Sequence, residues 1–455
     1  MRTNSKKEIS GSINIIKERL NKIPFKKLSK QSEFCKRKPR KITPKEFLLG
    51  FFLMAFSPEG NSYKNWASKI GELKNQSISK QALYKRMQIS QIKFLQIVLA
   101  EFLKFNLKEK YTSKLKGKLK RFKRIIIEDS THIQVNKKLK DYYPGNKYYQ
   151  QKEDKALLKI QASYELKSNR FMRFSITNFR KNDYSYSDKI FEIAQKGDLI
   201  IRDLGYFLLE VFKKLNTEGI SFISRMRKKV NILSKEDEKA IDLAKMLKKR
   251  GSLDMEVFIG QEERLPVRLI AMPVEESVAA QRRRKLNSQR DSRYKPSKQN
   301  LYLLGWEIFI TNLKKEEFHA KSIAELYFIR WRIEVIFKIW KSHLRITEII
   351  EKTNRIRVES YIYCMLIFIV LFQVSLYNYF MNKILMFQKR TEEKIKAISL
   401  MKIMKFITNN IDILILSIIN KNIFAPIIEN QINYYCTYET RHDRMNFYQK
   451  LIALG

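Results

Sequence analysis

Hydrophobic and polar positions change their period twice along the 455-residue chain. Up to about residue 124 the apolar residues recur at helical spacing, as in Phe47-Leu48-Leu49-Gly50-Phe51-Phe52-Leu53 and from Ile92 to Phe105. From Arg124 the pattern becomes that of strands. Ile125-Ile126-Ile127-Glu128-Asp129 is a β-branched run of the kind buried on both faces, whereas Leu157 to Leu166 and Phe171 to Thr177 alternate as strands of a meander do. The pattern then predicts a helix over about 185–195, a second buried strand at Leu199-Ile200-Ile201-Arg202-Asp203, a helix over 207–215 and a strand at Phe222-Ile223-Ser224-Arg225. Short strands at 265–272 and 302–310 break the alternation, and between them the basic segment from Arg282-Arg283-Arg284-Lys285 through Lys298, eight bases and one acid, reads as an exposed loop. Helical spacing returns from Ala320 through Arg345, over 359–380 and in the lysine-rich tail.

Three antiparallel strands leading into alternating helix and strand is the element order of a ribonuclease-H-like fold. The expected class is therefore α/β. A ribonuclease-H-like core occupies 121–227 and 314–390, interrupted by a β-rich insertion at 228–313. A helical domain at 1–120 precedes it and a helical region at 391–455 follows.

Charge adds a partner to this outline. The chain has 91 Lys plus Arg against 46 Asp plus Glu, a formal net charge of +45. Lys, Ile and Asn are all abundant, as AT-rich coding produces, yet the excess is uneven: residues 1–124 hold 32 Lys or Arg and 8 Asp or Glu, a net +24. Such a surface favours a polyanion, because each neutralised phosphate releases condensed counterions. A chain that is 44% hydrophobic with only 13 Gly and 9 Pro is neither collagen-like nor low-complexity. Cys35, Cys364 and Cys436 are dispersed, which excludes a disulfide scaffold or zinc spacing and points to a reducing compartment. With only His132, His319, His343 and His442 available, carboxylates are the richer source of chemistry. The N-terminus has no secretory pattern, and the apolar stretch from Tyr361 to Phe372 is short for a bilayer span, so a buried helix and no membrane partner are expected.

Within the basic N-terminal segment, Ser62 to Ile70 and Ser77 to Met87 flank a polar break. Ser79 is placed to cap a helix with Ala82, Leu83 and Met87 on one face and Lys80, Gln81, Tyr84 and Lys85 pointing away. This reads as a helix-turn-helix presenting Lys80, Gln81, Lys85 and Arg86 to DNA. A helical hairpin with a solvated basic face fits the same pattern.

Asp129 and Asp203 each end a buried apolar run, so adjacent strands could bring two hard oxygen ligands to one sheet edge. Singly, each also suits a turn or cap, the more so in Asp203-Leu204-Gly205-Tyr206. A third carboxylate comes from helix geometry. Counted as one helix with Tyr327 at zero and about 100° per residue, Arg330 falls near −60°, Glu334 near −20°, Lys338 near +20° and Lys341 near −40°. The opposite arc holds Phe328, Ile329, Ile333, Val335, Ile336, Phe337, Ile339 and Trp340. One acid in a basic stripe fits a solvated face with an Arg330–Glu334 pair worth a few tenths of a kcal/mol. It equally fits a metal ligand beside a phosphate backbone.

The spacing Tyr327-x2-Arg330-x3-Glu334-x6-Lys341 resembles the Tyr-Arg-Glu-Lys signature of DDE transposases in the bacterial insertion-sequence-four family. Asp129-Ser130-Thr131 resembles that family's first-aspartate motif and Asp203-Leu204-Gly205-Tyr206 its second, with the long insertion between the second aspartate and the glutamate. The likeness covers about 124–345 and reaches the flanks only loosely. It implies that Asp129, Asp203 and Glu334 are catalytic and hold two Mg²⁺ ions, or Mn²⁺ in their place, for phosphoryl transfer that cleaves and joins DNA strands. Tyr327, Arg330 and Lys341 would grip phosphates, with Lys338, Lys159 and Arg225 also on the DNA and Trp306 holding a flipped base. Trp306 also suits an inward-facing sheet aromatic, and Lys159 an exposed strand lysine. The implied partners are double-stranded transposon ends and target DNA, bound by a homodimer in the bacterial cytoplasm at the nucleoid. A catalytically silent DNA-binding derivative, or a structure-specific nuclease, would share the fold.

Overall fold

The computed structural model describes residues 11–37, 39, 41–104, 117–145, 155–289, 296–348, 353–391, 397–419, 425–438 and 449. Residues 290–295 of the basic segment and the Arg441-His442-Asp443-Arg444 end lie outside them. Two compact units are formed, one by residues 1–114, 130–180 and 333–450 and the other by 115–129, 181–332 and 451–455.

In chain order the elements begin with α1 (Gly11–Lys22), α2 (Phe25–Gln31), α3 (Pro44–Ala55), α4 (Tyr63–Lys74), α5 (Lys80–Tyr84) and α6 (Ile89–Lys104). Strands β1 (Ile125–Val135), β2 (Ala156–Glu165), β3 (Arg170–Asn178) and β4 (Leu199–Arg202) follow, then α7 (Leu209–Thr217) and β5 (Ser221–Arg225). The insertion supplies β6 (Ile232–Ser234), α8 (Leu243–Arg250), β7 (Leu253–Ile259), β8 (Leu265–Pro273), α9 (Glu276–Gln289), α10 (Lys298–Leu303) and β9 (Trp306–Thr311). The rest is helical: α11 (Ala320–Phe328), α12 (Trp331–Ser342), α13 (Arg355–Phe368), α14 (Ser375–Thr391), α15 (Leu400–Asn409), α16 (Ile411–Ile419) and α17 (Ala425–Tyr435). The protein is thus mixed α/β. Strand β1 and helix α12 each pass from one unit into the other.

The first unit is built around an aromatic core. Helix α3 starts on a Thr43–Glu46 capping box with Pro44 in its first turn, and every residue from Phe47 to Ala55 is buried, so it is apolar all round. Its Phe51 meets Tyr361 edge-on with centroids 5.2 Å apart, and Phe52 meets Phe368 at 5.3 Å and Phe372 at 5.7 Å. Those partners lie on one helical stretch, Arg355–Ile384, that is long and apolar enough to cross a membrane, but 94% of its most apolar window is buried inside the fold. A π-helical turn, Ile369–Val374, joins α13 to α14. The buried helix expected at 359–380 is therefore present. Strands β2 and β3 form an antiparallel hairpin. Trp340 of α12 is fully buried, 5.4 Å from Phe171 and 6.0 Å from Phe174 by centroids, and its Nε1 donates to Gln373 Oε1 at 3.2 Å. This anchor fixes the C-terminal part of α12.

In the second unit the N-terminal half of β1 pairs in parallel with β4, and β4 pairs in parallel with β5. Beyond β5 the pairing is antiparallel through β9, β8, β7 and β6. The strands of the 228–313 segment thus extend the same sheet.

Several expectations from the sequence are corrected. Tyr184–Glu192 forms 3₁₀ turns, not an α-helix; its polar residues compete for the backbone, as where Asn182 Oδ1 accepts from the Ser185 amide at 3.0 Å. Asp129 does not end its strand: β1 continues to Val135 with Ile133 and Val135 buried on one face. The run 302–310 is helix α10 followed by β9, and Arg282-Arg283-Arg284-Lys285 lies on helix α9 instead of a loop, tied down where Arg283 donates to Glu276 Oε1. The recognition helix expected over 77–87 shrinks to the five residues of α5, because Ser79 supplies no side-chain cap and Arg86 folds back onto the Ala82 carbonyl at 2.7 Å.

The helix expected from Ala320 to Arg345 is broken into α11 and α12. Ile329, Arg330 and Arg332 each donate to the carbonyl three residues back, at 3.2, 3.0 and 2.9 Å. Such bonds tighten the turn to about 120° per residue and rotate the stripe. Hence Tyr327, placed on the polar stripe, is buried at 3% exposure, while Phe328, assigned to the apolar arc, stands at 54%.

Because Phe52 sits at the junction of α3 and α13, Phe52→Ala should cost about 3–5 kcal/mol, seen as a lowered midpoint in thermal or denaturant unfolding. A loss below about 1 kcal/mol would mean that the two helices do not share a core.

Candidate active site

The residues singled out by spacing fall into two groups, one in each unit. In the second unit, Ile125 pairs with Leu199 and so on to Glu128 with Arg202, residue for residue. Asp129 and Asp203 are next along each chain and so leave the paired segment level with each other. Asp203 also caps a 3₁₀ turn, Leu204–Tyr206, its side chain accepting from the Gly205 amide at 3.5 Å. Its turn role and its place beside Asp129 are compatible.

Arg330, at the break between α11 and α12, reaches both aspartates. Nη1 donates to Asp129 Oδ2 at 2.8 Å, and Nη2 stands 3.7 Å from Asp203 Oδ1. Arg330 and Asp129 are 13% and 14% exposed, so this pair is withdrawn from water and screened less than a surface pair. The Tyr327 ring lies beneath, 5.4 Å from the Arg225 guanidinium, 5.6 Å from that of Arg330 and 5.1 Å from the Phe309 ring. Burial pushes its phenol up to about 12, with Arg330 opposing the shift and Asp203 adding to it. Tyr327 therefore stays a neutral hydroxyl and a platform for two cations.

Arg225 is held on its other side by Glu307, whose oxygens lie 2.9 and 2.8 Å from Nη2; Arg282 also contacts Glu307. Beside them opens a cavity of about 370 Å³ whose walls include Leu204, Arg225, Arg282, Asn300, Trp306 and Glu307. Trp306 is half-buried at the start of β9, its ring 6.0 Å from Tyr302.

In the first unit, Glu334 is half-buried in the first turn of α12, where the helix dipole favours an acid, and Lys338 and Lys341 are exposed further along. Lys159 is not the exposed strand lysine that alternation suggested. At 6% exposure its ammonium lies 5.2 Å from the Phe179 ring centre, and His132 meets the same ring edge-on at 5.1 Å. Burial, then the charges of Lys341 and Lys159, lowers the His132 pKa. Near α5, Lys80, Gln81, Tyr84 and Lys85 are exposed as expected, and the Arg357 guanidinium stacks on Tyr84 at 4.0 Å. Among the described residues, no group of three or more His, Cys, Asp and Glu side chains forms a metal-holding cluster.

Sequence reasoning missed Glu128, Arg202, Glu307 and His132. For the first two a signal existed: opposite charges stand at the same position of two apolar runs, directly before the two aspartates.

Residues 120–369 match the model of the transposase DDE domain, more than half of the chain. The chain belongs to the DDE transposase family. The transposase of insertion sequence element IS231E from Bacillus thuringiensis subsp. finitimus is 28% identical over 422 residues, 87% of this chain and 86% of that protein. The IS231F transposase from Bacillus thuringiensis subsp. israelensis is 26% identical over 400 residues, covering 83% and 82%. The IS1151 transposase of Clostridium perfringens is 27% identical over 376 residues, 78% of each. A piggyBac transposase synaptic complex with hairpin DNA superposes with a TM-score of 0.43 at 9% identity over 94% of this chain and 85% of that one, too weak a likeness to build on. The family makes this chain a transposase, an enzyme that acts on DNA.

Two outcomes follow. Arg330→Ala leaves two carboxylates facing each other without their shared cation and should lower stability by about 1–3 kcal/mol in chemical unfolding, whereas Lys338→Ala on the exposed face should stay within about 0.5 kcal/mol. The lowered His132 pKa means that the unfolded chain binds the proton more readily near and below pH 6.5. Stability should therefore fall as pH drops through that range, and His132→Gln should flatten this limb of a stability–pH profile.

Proposed function

We propose that the chain binds the terminal inverted repeats of its insertion sequence, cuts there and joins the freed ends to target DNA. The observation that carries this reading is the single guanidinium shared by Asp129 and Asp203. Two carboxylates aimed at one cation are a donor set suited to a hard divalent ion, and Arg330 occupies the place of that positive charge. Asp129, Asp203 and Glu334 would hold two Mg²⁺ ions, with Mn²⁺ as a substitute. When bound, such ions supply an activated oxygen nucleophile and charge neutralisation at the phosphate.

The chain's own residues do the rest. Once released from the aspartates, Arg330 is free to accept a phosphate in their place, with Tyr327 and Arg225 supporting it from below. Lys338 and Lys341, exposed on α12, hold the DNA backbone, whereas Lys159, sequestered against Phe179, is withdrawn from that role. Trp306 and the cavity beside Arg225 and Arg282 take an unstacked base, since the volume and the aromatic wall suit one. Lys80, Gln81, Lys85 and Arg86 contact the transposon end. The ribonuclease-H-like reading of the sheet is supported by the parallel β1, β4 and β5 at its core. The enzyme acts as a homodimer on DNA in the cytoplasm.

Glu334→Gln should bind its own terminal repeat within about twofold of wild type yet fail to nick it, and chelation should stop cleavage by the wild type until Mg²⁺ or Mn²⁺ is restored. Loss of end binding in step with loss of cleavage would make Glu334 structural. Cleavage that persists in a chelator would overturn the metal reading.

A further inference from the structure

We propose that two buried ion pairs of opposite polarity, Arg124–Asp198 and Glu128–Arg202, are positioning devices that set the register of β1 against β4 and so keep Asp129 and Asp203 level. The proposal rests on the reading of those aspartates as the metal-holding pair.

The paired segments are Ile125-Ile126-Ile127 and Leu199-Ile200-Ile201, all buried. An apolar run buried on both faces carries almost no register information, because a slipped pairing buries nearly the same surface. Yet a slip of one residue would move one aspartate about 3.3 Å past the other. That is comparable to the 2.8 and 3.7 Å separations through which Arg330 holds the two carboxylates.

The flanking charges break this degeneracy. At one end Arg124 Nε donates to Asp198 Oδ1 at 3.0 Å, and Asp198 is fully buried. At the other, Arg202 Nη2 lies 2.9 Å from Glu128 Oε2, with side chains 1% and 2% exposed. One strand carries base then acid, the other acid then base, so a one-residue slip in either direction leaves buried charges facing apolar side chains.

Arg202 also reaches the turn bearing Asp203. Nη1 donates to Ser187 Oγ at 2.9 Å and Nη2 to the Ser187 carbonyl at 2.6 Å, while Ser187 Oγ donates to the Tyr206 carbonyl at 2.7 Å. Its guanidinium stacks 5.1 Å from the Tyr206 ring centre. Buried ion pairs are poor sources of net stability and are best attested where they select one register. That separates positioning from a general structural role.

The test uses the full chain carrying Glu128→Leu with Arg202→Met, and Mn²⁺ titration by calorimetry without DNA. The double variant should melt near the wild-type temperature, because well-packed apolar residues can replace a buried pair. It should bind Mn²⁺ about tenfold more weakly or worse, as loss of groups that orient metal ligands does, and exchange backbone amides of 125–129 and 199–203 faster. Wild-type Mn²⁺ affinity with wild-type exchange would overturn the proposal. Should the double variant not fold, Arg202→Lys keeps the charge but lacks the fork that grips Ser187 and Glu128 together, and unchanged Mn²⁺ affinity there would overturn it equally. If wild type takes up no Mn²⁺, the active-site reading fails, and the exchange comparison alone judges the ion pairs.

Discussion

Two carboxylates brought level at the edge of a parallel strand pair are the constraint on which the second unit depends. Neighbouring strands lie about 4.8 Å apart, so Asp129 and Asp203 repel unless a cation stands between them. Arg330 is that cation, and the tightened turn between α11 and α12 exists where it must reach back to them. Tyr327 beneath supports the guanidinium, and Glu307 holds Arg225 so that a second cation does not crowd the first. The local irregularity of the backbone and the charge balance of the site have one cause.

Much of this was legible in the sequence, and the remainder was hidden for specific reasons. Buried strands announce themselves because they are apolar on both faces, which is why the runs ending at Asp129 and Asp203 were recognisable. Glu334 was placed by its spacing on a helix, and it lies half-buried in the first turn of α12. The break at Ile329 was invisible because nothing in Phe328-Ile329-Arg330-Trp331 forbids a helix; no proline or glycine marks it. It follows from tertiary partners, and Arg330's partners lie about 200 and 127 residues away in the chain. The burial of Lys159 was hidden for the same reason, since its aromatic neighbour Phe179 is contributed by the far end of the hairpin.

The net charge of +45 also divides into two populations once partners are known. Two arginines of the second unit turn inward: Arg202 and Arg268 are nearly inaccessible, and Arg268 makes a two-pronged grip on Asp254 at 2.6 and 2.8 Å while donating to the Phe318 carbonyl. A planar, weakly hydrated fork can satisfy several acceptors at once, whereas an ammonium holds its water and stays outside. Lys80, Lys85, Lys338 and Lys341 accordingly face solvent. The lysines thus carry much of the exposed positive charge, and Arg202 and Arg268 fix local geometry.

A site built this way cannot be optimised for stability alone. Replacing Asp129 and Asp203 by apolar residues would remove the repulsion and the need for Arg330, and would also remove the two carboxylates that stand level at that edge. Retaining them obliges the protein to keep an internal cation between them. Arg330 can fill that place because it stands at the break between α11 and α12, not in the middle of a helix, so its side chain can reach back to both aspartates.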